Sequence, residues 1–300
     1  MNSLPLVSII CLCHNQKKYV GSAINSALSQ SYENIELIIV DDCSTDGSQD
    51  QIRNAIGDKK ILFLPLAKNV GNCTAFNMGL ARCHGDFIID LAADDVLMPA
   101  RVEQGINDFL NASKKVGVHF TDAFLADAEG QIMGTHYSRS VDGQLIDLVP
   151  EGDIYTDLIH KYFICPPTMM IRKSVFDELG GYDEKLAYED FDFWIRSSRR
   201  FDYIFNKAPL VKKRMVMGSH ANSQNRLLNN HQRTTYLVCK KIFDLNKKPV
   251  ECKFLIKRCY YEIRQCLLTI NLQLIPKYFK LITASKAAYR RLSSASNIEI

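Results

Sequence analysis

The chain has 300 residues, 47% of them apolar, and a net charge of +4, which excludes extensive disorder and allows one large domain or one domain with an extension. The charge is uneven: residues 1–211 carry 19 Lys and Arg against 29 Asp and Glu, a balance of −10, while residues 212–300 carry 18 against 4, a balance of +14. That division predicts two parts with different partners, the basic one suited to an anionic lipid surface, an acidic polymer or nucleic acid.

Leu6-Val7-Ser8-Ile9-Ile10-Cys11-Leu12 is a near-continuous apolar run and predicts a strand buried on both faces. Tyr19, Val20, Ala23, Ile24, Ala27 and Leu28 then recur at helical spacing. A second strand covers 35–40 and ends in Asp41-Asp42, and Ser44-Thr45-Asp46 offers caps for a short helix through Ile56. A third strand is predicted over 61–64, a helix over 72–82 and a fourth strand over 87–91. The helix after Pro99 carries Val102, Ile106, Phe109 and Leu110. This alternation predicts an α/β fold with a doubly wound, mostly parallel sheet.

Beyond residue 115 the pattern changes. A strand is expected at 116–120, a hairpin turn at Glu129-Gly130, a polar loop over 138–152 and a short helix from Arg172 to Gly180-Gly181. Glu189-Asp190-Phe191-Asp192-Phe193-Trp194-Ile195-Arg196 starts acidic and becomes amphipathic, and from about 225 the periodicity is helical. The expected division is a catalytic domain over 1–220 and a basic helical extension over 221–300. The ten cysteines form no CxxC pair and lie mostly in apolar or helical patterns, so reduced thiols and a cytoplasmic location are expected. Cys252, Cys259 and Cys266 recur every seven residues, which reads as one packed helix stripe. The N-terminus lacks a basic leader and is read as a strand, and residues 265–276 are too short and too polar to span a bilayer.

Two acidic pairs, Asp41-Asp42 and Asp94-Asp95, fall at the predicted carboxyl ends of strands, where parallel sheets bind ligands. Adjacent carboxylates repel, and sharing a cation relieves them. Hard oxygen ligands suit Mg²⁺ or Mn²⁺ holding a diphosphate. Asp-Asp also starts turns and caps helices, so each pair taken singly has a structural reading. The glycines spell neither GxGxxG nor a phosphate loop, which disfavours dinucleotide oxidoreductases and P-loop NTPases.

Five motifs in order then resemble the family 2 glycosyltransferases, inverting enzymes with a GT-A nucleotide-sugar-binding fold, over roughly residues 6–215. The opening strand ends Cys13-His14-Asn15, where the family usually has Pro-Thr-Tyr-Asn and only the Asn is kept. Val40-Asp41-Asp42-Cys43-Ser44-Thr45-Asp46-Gly47-Ser48 is a close match to the second motif. Asn69-x-Gly71-x-x-x-Ala75-Phe76-Asn77-x-Gly79 has Phe76 where Arg is usual. Ala93-Asp94-Asp95-x-x-x-Pro99 resembles the metal motif, with Ala92 where the commoner form carries another Asp. Gly180-Gly181-Tyr182-Asp183-Glu184 and Glu189-Asp190-x-Asp192-x-Trp194-x-Arg196 resemble the acceptor-side motifs.

The resemblance implies roles. Asp41 accepts the imide N–H of a uracil-like base, with Asp42, Cys13, Asn15, Asn69, Gly71 and Asn77 around the nucleotide and Asp94 on the ribose. Asp95 holds Mg²⁺ or Mn²⁺, a Lewis acid for the leaving diphosphate, and His220 closes over that diphosphate. Asp190 is the base for the acceptor hydroxyl, with Glu189 and Asp192 as alternatives; an acidic pair at a helix start also simply caps it. The implied donor is a nucleoside-diphosphate sugar, expected to be UDP-linked. The implied acceptor is a glycan or lipid-linked glycan in surface-polysaccharide synthesis. The basic helices are expected on an anionic membrane surface at the inner face of the cell membrane, at a partner interface, or as a solvated face. Self-association stays open, and nucleic acid is disfavoured because no recognised module accompanies the charge. Competing readings are a sugar-phosphate nucleotidyltransferase, which needs a glycine-rich phosphate loop that residues 13–17 lack, and a non-catalytic glycan-binding or scaffold protein on the same fold.

Overall fold

The structure is a computed structural model that describes residues 4–215 and 230–296. The chain divides into two compact units: Met1–Gly152, Ile164–Lys185 and Phe201–Val216 in the first, Asp153–Phe163, Leu186–Arg200 and Met217–Ile300 in the second.

The first half of the chain alternates as its apolar pattern predicts: β1 (Val7–Cys13), α1 (Val20–Leu28), β2 (Ile35–Asp41), α2 (Ser48–Ile56), β3 (Leu62–Pro65), α3 (Asn72–Leu80) and β4 (Phe87–Ala92). After it come β5 (Val96–Leu97), α4 (Arg101–Asn111), β6 (Val116–Ala126), β7 (Ile132–Thr135), α5 (Tyr155–His160), β8 (Met170–Arg172), α6 (Lys173–Leu179), α7 (Asp190–Ser198) and β9 (Asp202–Arg214). Among the described residues the strands make one sheet in the order β3-β2-β1-β4-β8-β6-β9-β5, with β7 beside β6. The stretch from β3 to β4 is parallel, with Cys13 level with Asp41 and Leu12 level with Ala92. Beyond β4 the sheet is mixed: β8 is antiparallel to β4 and β6, β9 runs parallel to β6, and β5 is antiparallel to β9. The α/β, doubly wound architecture is as read from the sequence.

The β-branched run of β1 is buried on both faces because helices cover both sides of a parallel sheet. Ile9, Cys11, Ile39, Ile89 and Leu91 pack with Val20 and Ile24 of α1 and with Val102, Ile106 and Phe109 of α4 in one core. Each such side chain contributes on the order of 1.5–3 kcal/mol by leaving water. That core holds the carboxyl ends of β1, β2 and β4 level, which places the site.

Strand β9 was not anticipated. Its pattern is interrupted at Asn206-Lys207 and Pro209, and its register with β6 shifts at Thr121/Asp122 and again at Asp122/Ala123, so no clean period of two survives. Lys212, Lys213 and Arg214, counted above with the basic part, end this strand.

The second unit contains α5, α7, α8 (Asn230–Leu245), α9 (Pro249–Leu268) and α10 (Ile275–Ser296). It reaches back before residue 221, since α5 and α7 precede β9 in the chain. Polar contacts tie it together. Tyr155 OH donates to Asn246 Oδ1 at 2.9 Å, and the Arg199 guanidinium meets both Glu251 oxygens at 2.8 and 3.1 Å. The Arg258 guanidinium lies 4.0 Å from the Tyr162 ring centre and 4.8 Å from that of Phe191. Cys252, Cys259 and Cys266 form the buried stripe that their spacing predicts, and all ten cysteines are free thiols. Among the described residues no helix is long and apolar enough to cross a membrane.

Candidate active site

The carboxyl ends of β1, β2 and β4 carry the first part of the site. Asp41 is the last residue of β2 and is fully buried. Its Oδ2 accepts from Ser44 N–H at 3.0 Å and from the Gln49 side-chain amide at 2.8 Å. Its Oδ1 has no hydrogen-bond partner. A buried carboxylate oxygen left open is costly, and a donor on a bound molecule would satisfy it. Gln49 sits on α2 and was not singled out in the sequence, where nothing about its type marks it.

Asp42 has a different job. Its two oxygens accept from Val70 N–H at 2.7 Å and Gly71 N–H at 2.9 Å, fixing the loop that leads into α3. Gly71 holds φ +87, a left-handed conformation that favours glycine. Asn15 holds φ +54 and ties the loop after β1 to the loop after β2. Its N–H donates to Ser44 Oγ at 2.8 Å and its Oδ1 accepts from Thr45 N–H at 2.8 Å. His14 Nδ1–H donates to the Asp42 carbonyl at 2.7 Å, which leaves Nε2 to accept from the Asn15 and Asn69 amides, both at 3.2 Å. Cys13 is buried beneath this loop, and burial pushes its thiol up to about 12, so it stays protonated. An open recess of about 500 Å³ runs past Asn15, Lys17, Tyr19 and Asp46.

Asp94 and Asp95 form the turn between β4 and β5, next to β1: Ala93 N–H donates to the Leu12 carbonyl at 2.9 Å. Asp95 is 4% exposed, and its Oδ1 accepts from Arg214 N–H at 2.9 Å. Arg214 Nη1 donates to the Asp94 carbonyl at 2.8 Å, and its guanidinium lies over the Tyr19 ring. Arg214 thus joins the Asp94-Asp95 turn from the end of β9, a placement that its position in a run of three cations does not signal. Burial first, and the Asp94 charge second, push the Asp95 carboxyl up to about 8 from an ordinary 3.8, against the pull of Arg214 and Lys213. A carboxylate held at that cost gains strongly from a nearby cation. Among the described residues no three His, Cys, Asp or Glu side chains gather as a metal cage. The donor set is therefore one buried carboxylate beside a second, which fits Mg²⁺ or Mn²⁺ completed by phosphate oxygens and water.

Asn77 stands apart from this edge. Its amide donates to the Tyr182 carbonyl and to Glu184 Oε1, both at 2.9 Å, and its Oδ1 accepts from Tyr182 N–H at 2.9 Å. It clamps the loop through Gly181, where a Cβ would lie 2.5 Å from Asn77 Oδ1. Phe76, where Arg is usual, is fully buried, stacked on Tyr182 at 4.2 Å and tilted against Phe176 at 5.3 Å. It is an aromatic core residue.

Glu189 and Asp190 belong to the second unit. Glu189 stands at the N-cap position of α7 without a side-chain capping bond, Asp190 opens the helix, and both are half-buried. Asp190 Oδ1 accepts from Phe191 N–H at 2.8 Å. Asp192 is 1% exposed and paired on both oxygens, with Arg196 at 2.6 Å and Lys241 at 2.5 Å, which makes it a structural anchor. His220 lies outside the described residues.

A family model described as glycosyl transferase family 2 matches residues 8–180. An uncharacterized glycosyltransferase of Rickettsia felis is 30% identical over 233 residues, 76% of this chain and 36% of that relative. The chain thus spans about a third of that relative's length. Among solved structures, S. aureus TarS 1-349 in complex with UDP-GlcNAc superposes with a TM-score of 0.64 at 16% identity, over 98% of this chain and 92% of that one. The mannosyltransferase PcManGT of Pyrobaculum calidifontis, in complex with GDP-Man and Mn²⁺, superposes with a TM-score of 0.60 at 14% identity, over 99% and 81%. At these identities the structural likeness speaks for the fold.

Proposed function

The chain belongs to glycosyl transferase family 2, and on that premise we propose that it is an inverting glycosyltransferase that moves a sugar from a UDP-linked donor to a hydroxyl of a glycan or lipid-linked glycan. The observation that carries the donor reading is the open Oδ1 of Asp41 beside a filled Oδ2. Uracil offers one N–H on its pairing edge, which one acceptor oxygen satisfies. Guanine offers two adjacent N–H groups that want both oxygens of a carboxylate.

In the proposed reaction the acceptor oxygen attacks the anomeric carbon from the face opposite the diphosphate. The C–O bond to the diphosphate breaks and the configuration inverts. The acceptor proton passes to the Asp190 carboxylate. Asp95, with Asp94 beside it, would hold the Mg²⁺ or Mn²⁺, which when bound supplies positive charge to the diphosphate. Asp42, Asn15 and Gly71 position the loops around the nucleotide, and Asn77 supports the loop at 181–182. The setting proposed is surface-polysaccharide synthesis at the cytoplasmic face of a membrane, where the basic helices meet anionic lipid.

Calorimetric titration of the full chain with UDP and GDP in Mn²⁺ tests the donor assignment. UDP is expected to bind at least about tenfold more tightly, since one charged hydrogen bond is worth about 1.5–3 kcal/mol. Gln49→Ala removes one of the two donors to Oδ2, leaving Ser44 N–H, and should narrow the difference, and Asp41→Asn should weaken both ligands. Tighter binding of GDP by the wild type would reject the UDP reading.

A further inference from the structure

The turn between α9 and α10 is built as a helix stop with the wrong residue at its key position. Asn271 N–H donates to the Cys266 carbonyl at 2.8 Å and Ile270 N–H to the Leu267 carbonyl at 3.4 Å, the two bonds of a Schellman motif. The residue between them takes a left-handed conformation and is ordinarily glycine; here it is Ile270, at φ +58. A β-branched residue is an outlier there. Thr269 and Asn271 are buried inside the turn, and the Asn271 amide donates to Thr269 Oγ1 at 2.9 Å. Ile270 faces outward, 48% exposed, beside Leu267, Leu268 and Leu272 at 57%, 61% and 51%. Four large aliphatic side chains thus stand out of one turn, and backbone strain is tolerated to keep one of them there.

The charge exposed on α9 and α10 has one sign. Residues 249–296 hold nine Lys and Arg and two Glu. Both Glu are buried in ion pairs, Glu251 with Arg199 and Glu262 with Arg258 at 2.8 and 2.7 Å. The exposed charges on α9 and α10 are therefore positive, with Arg264, Lys277 and Lys280 closest in sequence to the turn. Tyr260 and Phe279, each half exposed, flank it on the two helices. A second copy of this surface would bring like charges together, whereas anionic headgroups complement them.

We infer that the turn at 267–272 is a wedge that enters the acyl boundary of an anionic bilayer, with Arg264, Lys277 and Lys280 at the headgroups. This rests on the membrane-side setting proposed above and supplies its point of contact. Apolar insertion and headgroup attraction add, and neither alone anchors a protein firmly.

Flotation of the full chain with vesicles of phosphatidylcholine plus phosphatidylglycerol, or of phosphatidylcholine alone, tests it. The wild type should float with the anionic vesicles only. Leu268→Ser with Ile270→Gly should reduce that partition by roughly tenfold. Its melting temperature should hold or rise, because glycine relieves the left-handed strain. UDP binding should be unchanged, which separates a failed wedge from a failed donor assignment. A wild type that floats with neither vesicle overturns both the wedge and the membrane setting. Equal flotation of variant and wild type overturns the wedge and leaves the charge attraction. A variant that partitions normally but shifts to smaller size on gel filtration overturns it in favour of a self-association surface.

Discussion

Asp95 and Asp42 are both buried aspartates at the carboxyl edge of the sheet, yet their partners give them opposite chemistry. Asp42 has both oxygens filled by backbone N–H groups, so it holds a loop. Asp95 has one N–H bond, a neighbouring Asp94 and a carboxyl pushed up to about 8 by burial, which suits the cation proposed for it. Mn²⁺ should accordingly raise the melting temperature of the wild type in the presence of UDP and leave Asp95→Ala unmoved. Transfer by Asp95→Ala should fall by at least about a hundredfold, as expected for losing charge stabilisation at the leaving group, while its metal-free melting temperature stays level or rises. An equal Mn²⁺ shift in both proteins, read by differential scanning fluorimetry, would move the metal to other residues. Residue types and spacing single out Asp41, Asp94 and Asp95 as candidates, and the fold brings all three to the carboxyl edge of the sheet, where their roles are the proposed ones. Type and spacing did not separate Asp42 and Asn77, whose roles depend on which N–H groups the fold brings to them. Nor did they show that Phe76 fills an aromatic core between Phe176 and Tyr182.

Elements were legible where a period repeats and obscure where it breaks. β1, β2 and β4 are uninterrupted apolar runs, and α4 keeps its stripe of Val102, Ile106 and Phe109. β9 carries bulges, a proline and three terminal cations, and its pairing with β6 compensates for a weak local pattern. The α4–β6–β9 contact is polar at its centre. His119 on β6 donates from Nε2 to Asp108 Oδ2 on α4 at 2.8 Å, and Asn206 on β9 donates to the same oxygen at 2.7 Å. Burial pushes the His119 imidazole down to about 4 from 6.5. Between those values the unfolded chain binds the proton and the folded chain does not. The stabilisation is therefore complete above about pH 6.5 and is lost as pH falls toward 4, on the order of 3 kcal/mol at most. His119→Gln, which cannot titrate, should flatten the stability profile across that window. Urea unfolding at stepped pH values measures the slope, and an unchanged slope in the variant would assign the acid sensitivity to other groups.

At the scale of the molecule, the acidic and basic parts of the chain were legible from composition, and the helical C-terminus from its period. The membership of the second unit was not, because α5 and α7 lie before residue 201 and no local pattern links them to helices after 230. Their links include polar pairs distant in sequence: Tyr155 to Asn246, Arg199 to Glu251, Asp192 to Lys241, and the Tyr162 and Phe191 rings to Arg258. Removing residues 230–300 leaves the first member of each pair behind without its partner, with apolar rings newly bared. A truncation at 229 should therefore express as an aggregating protein, and it cannot serve as a clean test of membrane binding. Glu251→Gln isolates the electrostatic part. It strips the charge from a fully buried partner of Arg199 while keeping the shape, and should cost about 3–5 kcal/mol, the range for leaving a buried ion unpaired. For a chain of this size that is a fall in melting temperature on the order of 10 °C. A truncation that is soluble and melts with the wild type would instead mean that α5 and α7 are held without the C-terminal helices. In that case Glu251→Gln should also be silent.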